Sequence, residues 1–560
     1  MKIRIKMNNK LACLITTLCF SISLPLYADS EDYSNQDVSG MKFSGKSMRS
    51  SNWRNANLSK STFTSVDLYN ANFNDAIITN SSFISCANLT SLQLYSTKSY
   101  KDKNLQGIEF RSLIEFGSSG LDLSSQNLTN CVFGFSMVGV DITDATIVGA
   151  SLSLGLTSKQ LYSTKSYREK NLFGVILRGE IRNFSFKGQN LTSADLSLCD
   201  VRDSDFTDTI INDVNFGSFG TTGFTKSSLI STKSYKEKNL RGVKFSGGSR
   251  LDVDLSGQDL SNAVFSIAID TCDMTDSIIE GADFSYSGMT KAQIYSTKSY
   301  KNRNLSGVDF SYLDLRGISF ENINLQNTKF ESSVSSHYYE INFYYADLRG
   351  ATLSSSSTHK TQNTIWTDGE IKNFSMTSAE DNFSIRKYVP ATTGGVMINA
   401  KIVEDATISG GAVLTLEEGA VLEISAGKTL TVSDNGEIVF DVDAAADDTN
   451  IILNSGSKLV FGDNSKLTIN LTGEVSETDP MHFTVIKAAD DSYVLGLDTL
   501  PKDNIILNVN SVAYDSSKWG INFDPTTGTL DISVNIPEPA TYATIFTVLA
   551  LGFVAYRRRK

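Results

Sequence analysis

The chain has 560 residues, 40% hydrophobic and 20% charged, with 50 Lys and Arg against 62 Asp and Glu and a formal net charge of −12. The first 28 residues and the last four each hold four basic residues and no acid, so residues 29–556 carry 50 − 4 − 4 = 42 basic against 62 acidic side chains, a balance of −20. That balance argues against general affinity for nucleic acid or anionic lipid. Outside the first segment the cysteines, Cys86, Cys131, Cys199 and Cys272, are too few and too scattered for a disulfide framework or a zinc site.

Residues 1–28 read as a secretory signal, which implies passage through the Sec export machinery. Lys2, Arg4, Lys6 and Lys10 form its basic start, an apolar run extends from Leu11 to about Leu24, and the small Ala28 stands where cleavage is expected.

From Val38 a large apolar residue recurs every five positions, through Phe43, Met48, Trp53, Leu58, Phe63, Leu68, Phe73, Ile78 and Phe83. Two residues before most of these sits a small one, such as Ser51, Ala56, Ser61, Ala71, Ala76 or Ser81. Phe186 to Phe216 and Leu305 to Phe330 keep the same rule. A period of five fits neither a helix nor a strand, so the chain must turn a corner every five residues with the centre and its small neighbour inward. Ser, Asn, Asp and Gly at the other positions suit corners. No proline occurs between Pro25 and Pro390, as a continuous hydrogen-bonded ladder requires. Motifs such as Ala56-Asn57-Leu58, Ala194-Asp195-Leu196, Ala282-Asp283-Phe284 and Ala346-Asp347-Leu348 resemble the pentapeptide-repeat family over roughly residues 36–355. The resemblance implies a right-handed quadrilateral β-helix with four five-residue faces per coil. Cys131, Cys199 and Cys272 occupy the small inward position, where a thiol packs as alanine does.

A longer repeat lies over the first. Tyr100, Tyr167, Tyr235 and Tyr300 end four copies of Ser-Thr-Lys-Ser-Tyr. Thr90 with Gln93, Thr157 with Gln160 and Thr290 with Gln293 form capping-box patterns, so each copy predicts a short helix on a corner of the coil. Thr225 and Ser228 make a weaker box in the third copy. The inserts concentrate Lys98, Lys101, Lys103, Lys165, Arg168, Lys170, Lys233, Lys236, Lys238, Lys298, Lys301 and Arg303 on an acidic chain. The candidate polyanion site is this cation-plus-tyrosine set: Lys98, Tyr100 and Lys101; Lys165, Tyr167 and Arg168; Lys233, Tyr235 and Lys236; Lys298, Tyr300 and Lys301. Its competing reading is a duplicated solvated helix whose tyrosine packs on the coil.

Between about 356 and 395 the five-residue rule fades into a polar linker containing Trp366 and Pro390. A period of eight then begins at Ile408, Leu416, Ile424, Val432 and Phe440, with Glu418-Gly419, Ala426-Gly427 and Asn435-Gly436 as turns. It predicts a second β-solenoid or meander over 396–535, capped by residues 480–535. Its composition and turns resemble the passenger regions of autotransporter-like surface proteins.

At the C-terminus Pro537-Glu538-Pro539 precedes an uncharged run from Ala540 to Tyr556 and the basic Arg557-Arg558-Arg559-Lys560. The run is at the lower limit for a single transmembrane helix, and the basic end places the rest of the chain outside. Together the three parts of residues 536–560 resemble a PEP-CTERM sorting signal, which implies recognition by an exosortase and passage to the surface of a Gram-negative cell. The all-β pattern carries no nucleophile, metal or phosphate-loop motif, and no cofactor or metal is expected. His337, His359 and His482 have no ligand spacing, although His337 opens an aromatic run through Tyr338, Tyr339, Phe343, Tyr344 and Tyr345. The expectation is an exported surface protein with a structural or adhesive role and no enzymatic activity. Polysaccharide binding or processing is the alternative. A DNA-mimicking topoisomerase inhibitor, a role known among pentapeptide proteins, conflicts with the export signal.

Overall fold

The computed structural model describes residues 31–113, 120–248, 250–331, 341–353, 359–443, 450–473, 481–497, 499–513, 519–524 and 529–534. The expected signal and sorting segments lie outside them. The chain divides into two compact units, Met1–Ile210 and Ile211–Lys560.

The first unit is a coil with a four-step turn. Phe43 pairs in parallel with Phe63 and Phe63 with Phe83, each 20 residues on. Asp32 bridges Asn52, and Asp37 bridges Asn57, at the same offset. Within most five-residue faces the roles are the same. The residue before the centre makes the bridge, and the residue two after it turns the corner with a left-handed φ, as in Asn35 at 57°, Asn55 at 57° and Asn70 at 58°. Asn and Asp tolerate that conformation better than other side chains. Bridge-position carboxylates hold the corner from the other side, Asp32 accepting from the Ser34 amide at 3.0 Å and Asp37 from Ser39 at 3.0 Å.

Inside, the centres stack. Phe43, Phe63 and Phe83 form a file with ring centroids 4.9 and 5.0 Å apart, and Trp53 stacks on Phe73 at 6.1 Å. Each such side chain contributes about 1.5–3 kcal/mol of transfer free energy, but only because the coils above and below seal it. The small neighbours are buried too, and several of their hydroxyls donate to a centre one coil back, Ser61 to Val38 O at 2.8 Å and Ser81 to Leu58 O at 2.6 Å, while Ser51 donates to Met48 O of its own coil at 2.7 Å.

Two inserts interrupt this unit, and each is a pair of helices where a single short helix is expected. The first is α1 (Ser91–Ser96) and α2 (Lys98–Lys101), the second α3 (Ser158–Ser163) and α4 (Lys165–Arg168). The expected capping boxes are present at Thr90 and Thr157. The break comes from Thr97, which ends α1 and starts α2. Its hydroxyl donates to Leu94 O at 2.7 Å and accepts from the Tyr100 amide at 3.1 Å.

The second unit begins with a five-residue coil of the same kind, with Phe245 on Phe265 and Phe330 beside Leu353. It carries α5 (Lys226–Ser231) with α6 (Lys233–Lys236), and α7 (Lys291–Ser296) with α8 (Lys298–Lys301). The box recurs at Thr290, while Thr225 caps α5 without a reciprocal glutamine.

The stretch expected as a linker contributes structure of its own. Thr364–Ile365 and Ile371–Lys372 form an antiparallel pair, and Asn382–Ile385 is the first strand of the next sheet. Ile365, Ile371, Met376, Phe383 and Ile385 belong to the same apolar core as the residues that follow. That second region is a solenoid and not a meander, because successive turns pair in parallel on three faces. Val413–Leu416, Glu437–Asp443 and Lys466–Thr472 stack on one face. Leu422–Ile424 with Ile451–Leu453, and Thr429–Val432 with Lys458–Phe461, stack on the other two. The eight-residue period is thus one face, and three faces close a turn. The ladder ends antiparallel, Thr529–Val534 pairing with both Met481–Ala488 and Trp519–Asp524.

Where coil and solenoid meet, Asp347 and Arg349 form a fully buried ion pair at 2.6 Å. Arg349 also donates to the carbonyls of Ile398, at 3.1 Å, and Arg386, while Gln326 donates to Asp347 at 2.8 Å and to Lys387 O at 3.0 Å. Residues 386–398 are therefore tied over the last coil by charged hydrogen bonds.

Candidate functional site

Each insert takes the place of a coil face. In the first, the Lys98 amide donates to Ala76 O and the Ser99 hydroxyl accepts from the Ile78 amide, both at 2.9 Å, as a ladder strand would. Ser166, Ser234 and Ser299 accept in the same way from Ile147, Ile211 and Ile279. On the other side two tyrosines supply the missing partner. The Asp122 amide donates to the Tyr95 hydroxyl at 2.7 Å, and the Tyr100 hydroxyl donates to the Asp122 carbonyl at 3.0 Å. Tyr162 and Tyr167 hold Ser185 by both groups, at 2.6 and 2.8 Å. Tyr295 and Tyr300 hold Ser319 at 2.9 and 2.7 Å. In the third insert Ile230 stands where the first tyrosine would, and Tyr235 alone reaches Asp254 O at 2.7 Å. Burial, with Asp122 and Tyr95 adding to it, pushes the Tyr100 hydroxyl up to about 12.

The insert cations are exposed, and at least six of the twelve face a carboxylate. Lys98 pairs with Asp102 at 2.7 Å, Lys101 with Asp75 at 2.8 Å and Lys301 with Asp276 at 2.7 Å. Arg168 pairs with Asp144, and Lys165 and Lys233 lie 3.8 Å from Glu169 and Glu237. Lys236 and Lys298 are exposed on α6 and α8. Lys103, Lys170, Lys238 and Arg303 are corner residues with φ between 55° and 58°. The structure thus brings tyrosine and cations together within each insert. It also commits the tyrosine hydroxyls to backbone.

A second site was not legible in the sequence. On one face of the solenoid Asp441 pairs with Asn470 and Asn470 with Asn508. One position beyond the paired ends of the earlier strands, Arg386 and Glu417 continue the same row. The row is linked: Asn508 donates to Asn470 and Asn470 to Asp441, each at 2.8 Å, and Arg386 lies 3.6 Å from Glu417. An open groove of about 910 Å³ runs over it, bounded at one end by Lys387 and Asn324. Burial, with Asp441 adding to it against Arg386, pushes the Glu417 carboxyl above the ordinary range. Arg386 Nη1 is buried with no hydrogen-bond partner among the described residues. The row residues are separated by 31, 24, 29 and 38 positions, so no regular spacing announces them.

A family model described as pentapeptide repeats matches the chain in eight copies, at residues 47–80 and 304–333. The chain carries pentapeptide repeats. Two solved structures align with it. HetL, a pentapeptide-repeat protein involved in heterocyst differentiation regulation from the cyanobacterium Nostoc sp. strain PCC 7120, is 13% identical; the alignment covers 61% of this chain and 94% of HetL, with a TM-score of 0.11. QnrB1, a plasmid-mediated fluoroquinolone resistance protein, is 14% identical; 51% of this chain and 92% of QnrB1 are covered, with a TM-score of 0.10. Neither likeness bears on what this chain binds. No curated protein matches it.

The remaining candidates are absorbed by the pentapeptide coil or fall outside the described residues. Cys86, Cys131, Cys199 and Cys272 are buried and unpaired by disulfides. Burial pushes Cys131 and Cys199 up to about 12. His359 packs between Phe343 and Trp366, with ring centroids 5.1 and 6.0 Å away, and burial lowers its pKa. Tyr345 donates to Asp381 at 2.7 Å. His337, Tyr338, Tyr339 and Glu340 lie outside the described residues, as do Pro537, Glu538, Pro539, Arg557, Arg558 and Arg559 of the sorting signal. Among the described residues no group of His, Cys, Asp or Glu could hold a metal ion, and no helix is long and apolar enough to cross a membrane.

Proposed function

We propose that the chain is an exported cell-surface protein with a structural or interaction role and no catalytic one. It is held first at the inner membrane by a C-terminal helix and is then processed by an exosortase of a Gram-negative cell. Its pentapeptide coil is read as right-handed by resemblance to the family. The observation that carries the proposal is the order of parts at the two ends: a basic start, an apolar run and Ala28, then Pro537-Glu538-Pro539, an uncharged run and Arg557-Arg558-Arg559-Lys560. The stacked coils of each unit support it, since a solenoid presents a repeating surface for contacts.

The test is fractionation of cells carrying epitopes before Pro537 and after Lys560. The expected result is the first epitope on the cell surface with the second lost, and accumulation of uncleaved protein in the inner membrane when Pro537, Glu538 and Pro539 are changed to alanine. A cytoplasmic protein retaining both epitopes would end the proposal. The second reading, attachment to extracellular polysaccharide, is favoured by the polar groove of the solenoid.

A further inference from the structure

We propose that the groove over Arg386, Glu417, Asp441, Asn470 and Asn508 binds a neutral, hydroxyl-rich glycan chain lying along the solenoid axis. The inference rests on the chain working among extracellular polymers, and it adds the site and the class of ligand.

The geometry sets the shape of the ligand. Neighbouring strands lie about 4.8 Å apart, so the five side chains form a file roughly 19 Å long. A compact metabolite would use only part of such a file. An extended polymer meets every member, and it meets them at a constant interval. The groove is open along its length, so the polymer needs no free end to enter.

The chemistry sets the class. Glu417 and Asp441 offer carboxylate acceptors, while Asn470 and Asn508 offer amides that donate and accept. Their own links along the row use one hydrogen of each amide, leaving the second to face a ligand. A sugar hydroxyl donates to the first pair and does both with the second. Arg386 closes one end of the file, its guanidinium 3.6 Å from Glu417. The charge pattern selects against an acidic polymer. Two carboxylates occupy the middle of the row and Glu418 stands beside them, so a polyanion would lay its charges over like charges at short range. The cations are confined to one end, where Arg386 already faces Glu417.

The experiment is native affinity electrophoresis of the full-length protein through gels containing dextran, galactomannan or polygalacturonate. The expected result is retardation by at least one neutral polymer. The Asn470→Ala/Asn508→Ala variant should weaken it about tenfold, the loss of two net hydrogen bonds. Thr472→Trp, a substitution at an exposed strand position bordering the groove, should weaken it at least as much and serves if the double variant melts early. Migration unaffected by both neutral polymers would overturn the proposal. So would retardation unchanged in Thr472→Trp, or retardation by polygalacturonate alone. Each of these outcomes leaves the fractionation result untouched, so the two readings fail separately.

Discussion

At the scale of single residues, the inward position two before each centre is a hydrogen-bonding position as well as a small one. Cys131 donates to Leu105 O at 3.0 Å, Cys272 to Leu251 O at 2.9 Å and Thr209 to Phe186 O at 2.8 Å, the bond that Ser61 and Ser81 also make. A thiol there replaces a serine hydroxyl, and burial keeps it protonated. Cys131 and Cys199, pushed up to about 12, should react with iodoacetamide at pH 8 at least ~100-fold more slowly in the native protein than after denaturation. Mass spectrometry after timed labelling checks this, and rapid native modification of either residue would contradict the packing. The placement was legible in the sequence because a five-residue face leaves two inward positions and the cysteines fall on one of them. The bond itself was not. Its acceptor lies one coil back, 26 residues away for Cys131 and 21 for Cys272, and these offsets vary with each insertion.

At the scale of elements, the inserts show a solenoid repairing its own ladder. A helix pair offers few backbone groups sideways, so the coil that follows would be left with unpaired amides and carbonyls, which are costly when sheltered from water. Paired tyrosine hydroxyls satisfy both groups of one residue. Tyr100→Phe should cost about 1 kcal/mol, the net worth of one hydrogen bond, measured by chemical denaturation. Tyr235→Phe should cost as much, although its insert already lacks the partner hydroxyl at Ile230. The pH dependence has a definite sign. Burial raises Tyr100 and Tyr300 to about 12 and raises Tyr167 and Tyr235 above their ordinary 10. The unfolded chain therefore loses these protons first. Stability from the four groups is fully present below pH 10 and falls as pH rises from 10 towards 12. Melting temperatures from pH 8 to 11.5 should show that loss shrinking when the four tyrosines become phenylalanine; an unchanged profile would remove the clamp from the account. The capping boxes made the helix starts readable. The second helix of each pair was missed, because one threonine serving as both stop and start looks like an ordinary member of a repeated motif.

At the scale of the whole molecule, the question is what makes the second unit continuous from coil to solenoid. Two local sequences give the contrast. Asp314-Leu315-Arg316 and Asp347-Leu348-Arg349 are alike, yet the Arg316 side chain is 63% exposed and that of Arg349 is 1% exposed. The difference comes from residues 386–398, which fold back over the last coil and accept from Arg349 at two carbonyls. Nothing within five residues of Arg349 announces this, which is why the stretch from 356 to 395 reads as a linker. An ion pair this deep is costly to half-remove. Arg349→Met leaves Asp347 charged and sealed from water, and should destabilise this unit by about 3–5 kcal/mol. Replacing both partners, as Asp347→Leu/Arg349→Met, should restore much of that loss, because the stranded charge goes with it. Urea denaturation followed by tryptophan fluorescence reads the relevant part of the chain in a background where Trp53 and Trp519 are phenylalanine, since Trp366 lies between the two regions. If the pair ties coil to solenoid, the single variant should separate the transition into two steps and the double variant should move them back together. A single variant that unfolds in one step at the parent's midpoint would mean that the apolar column alone carries the connection.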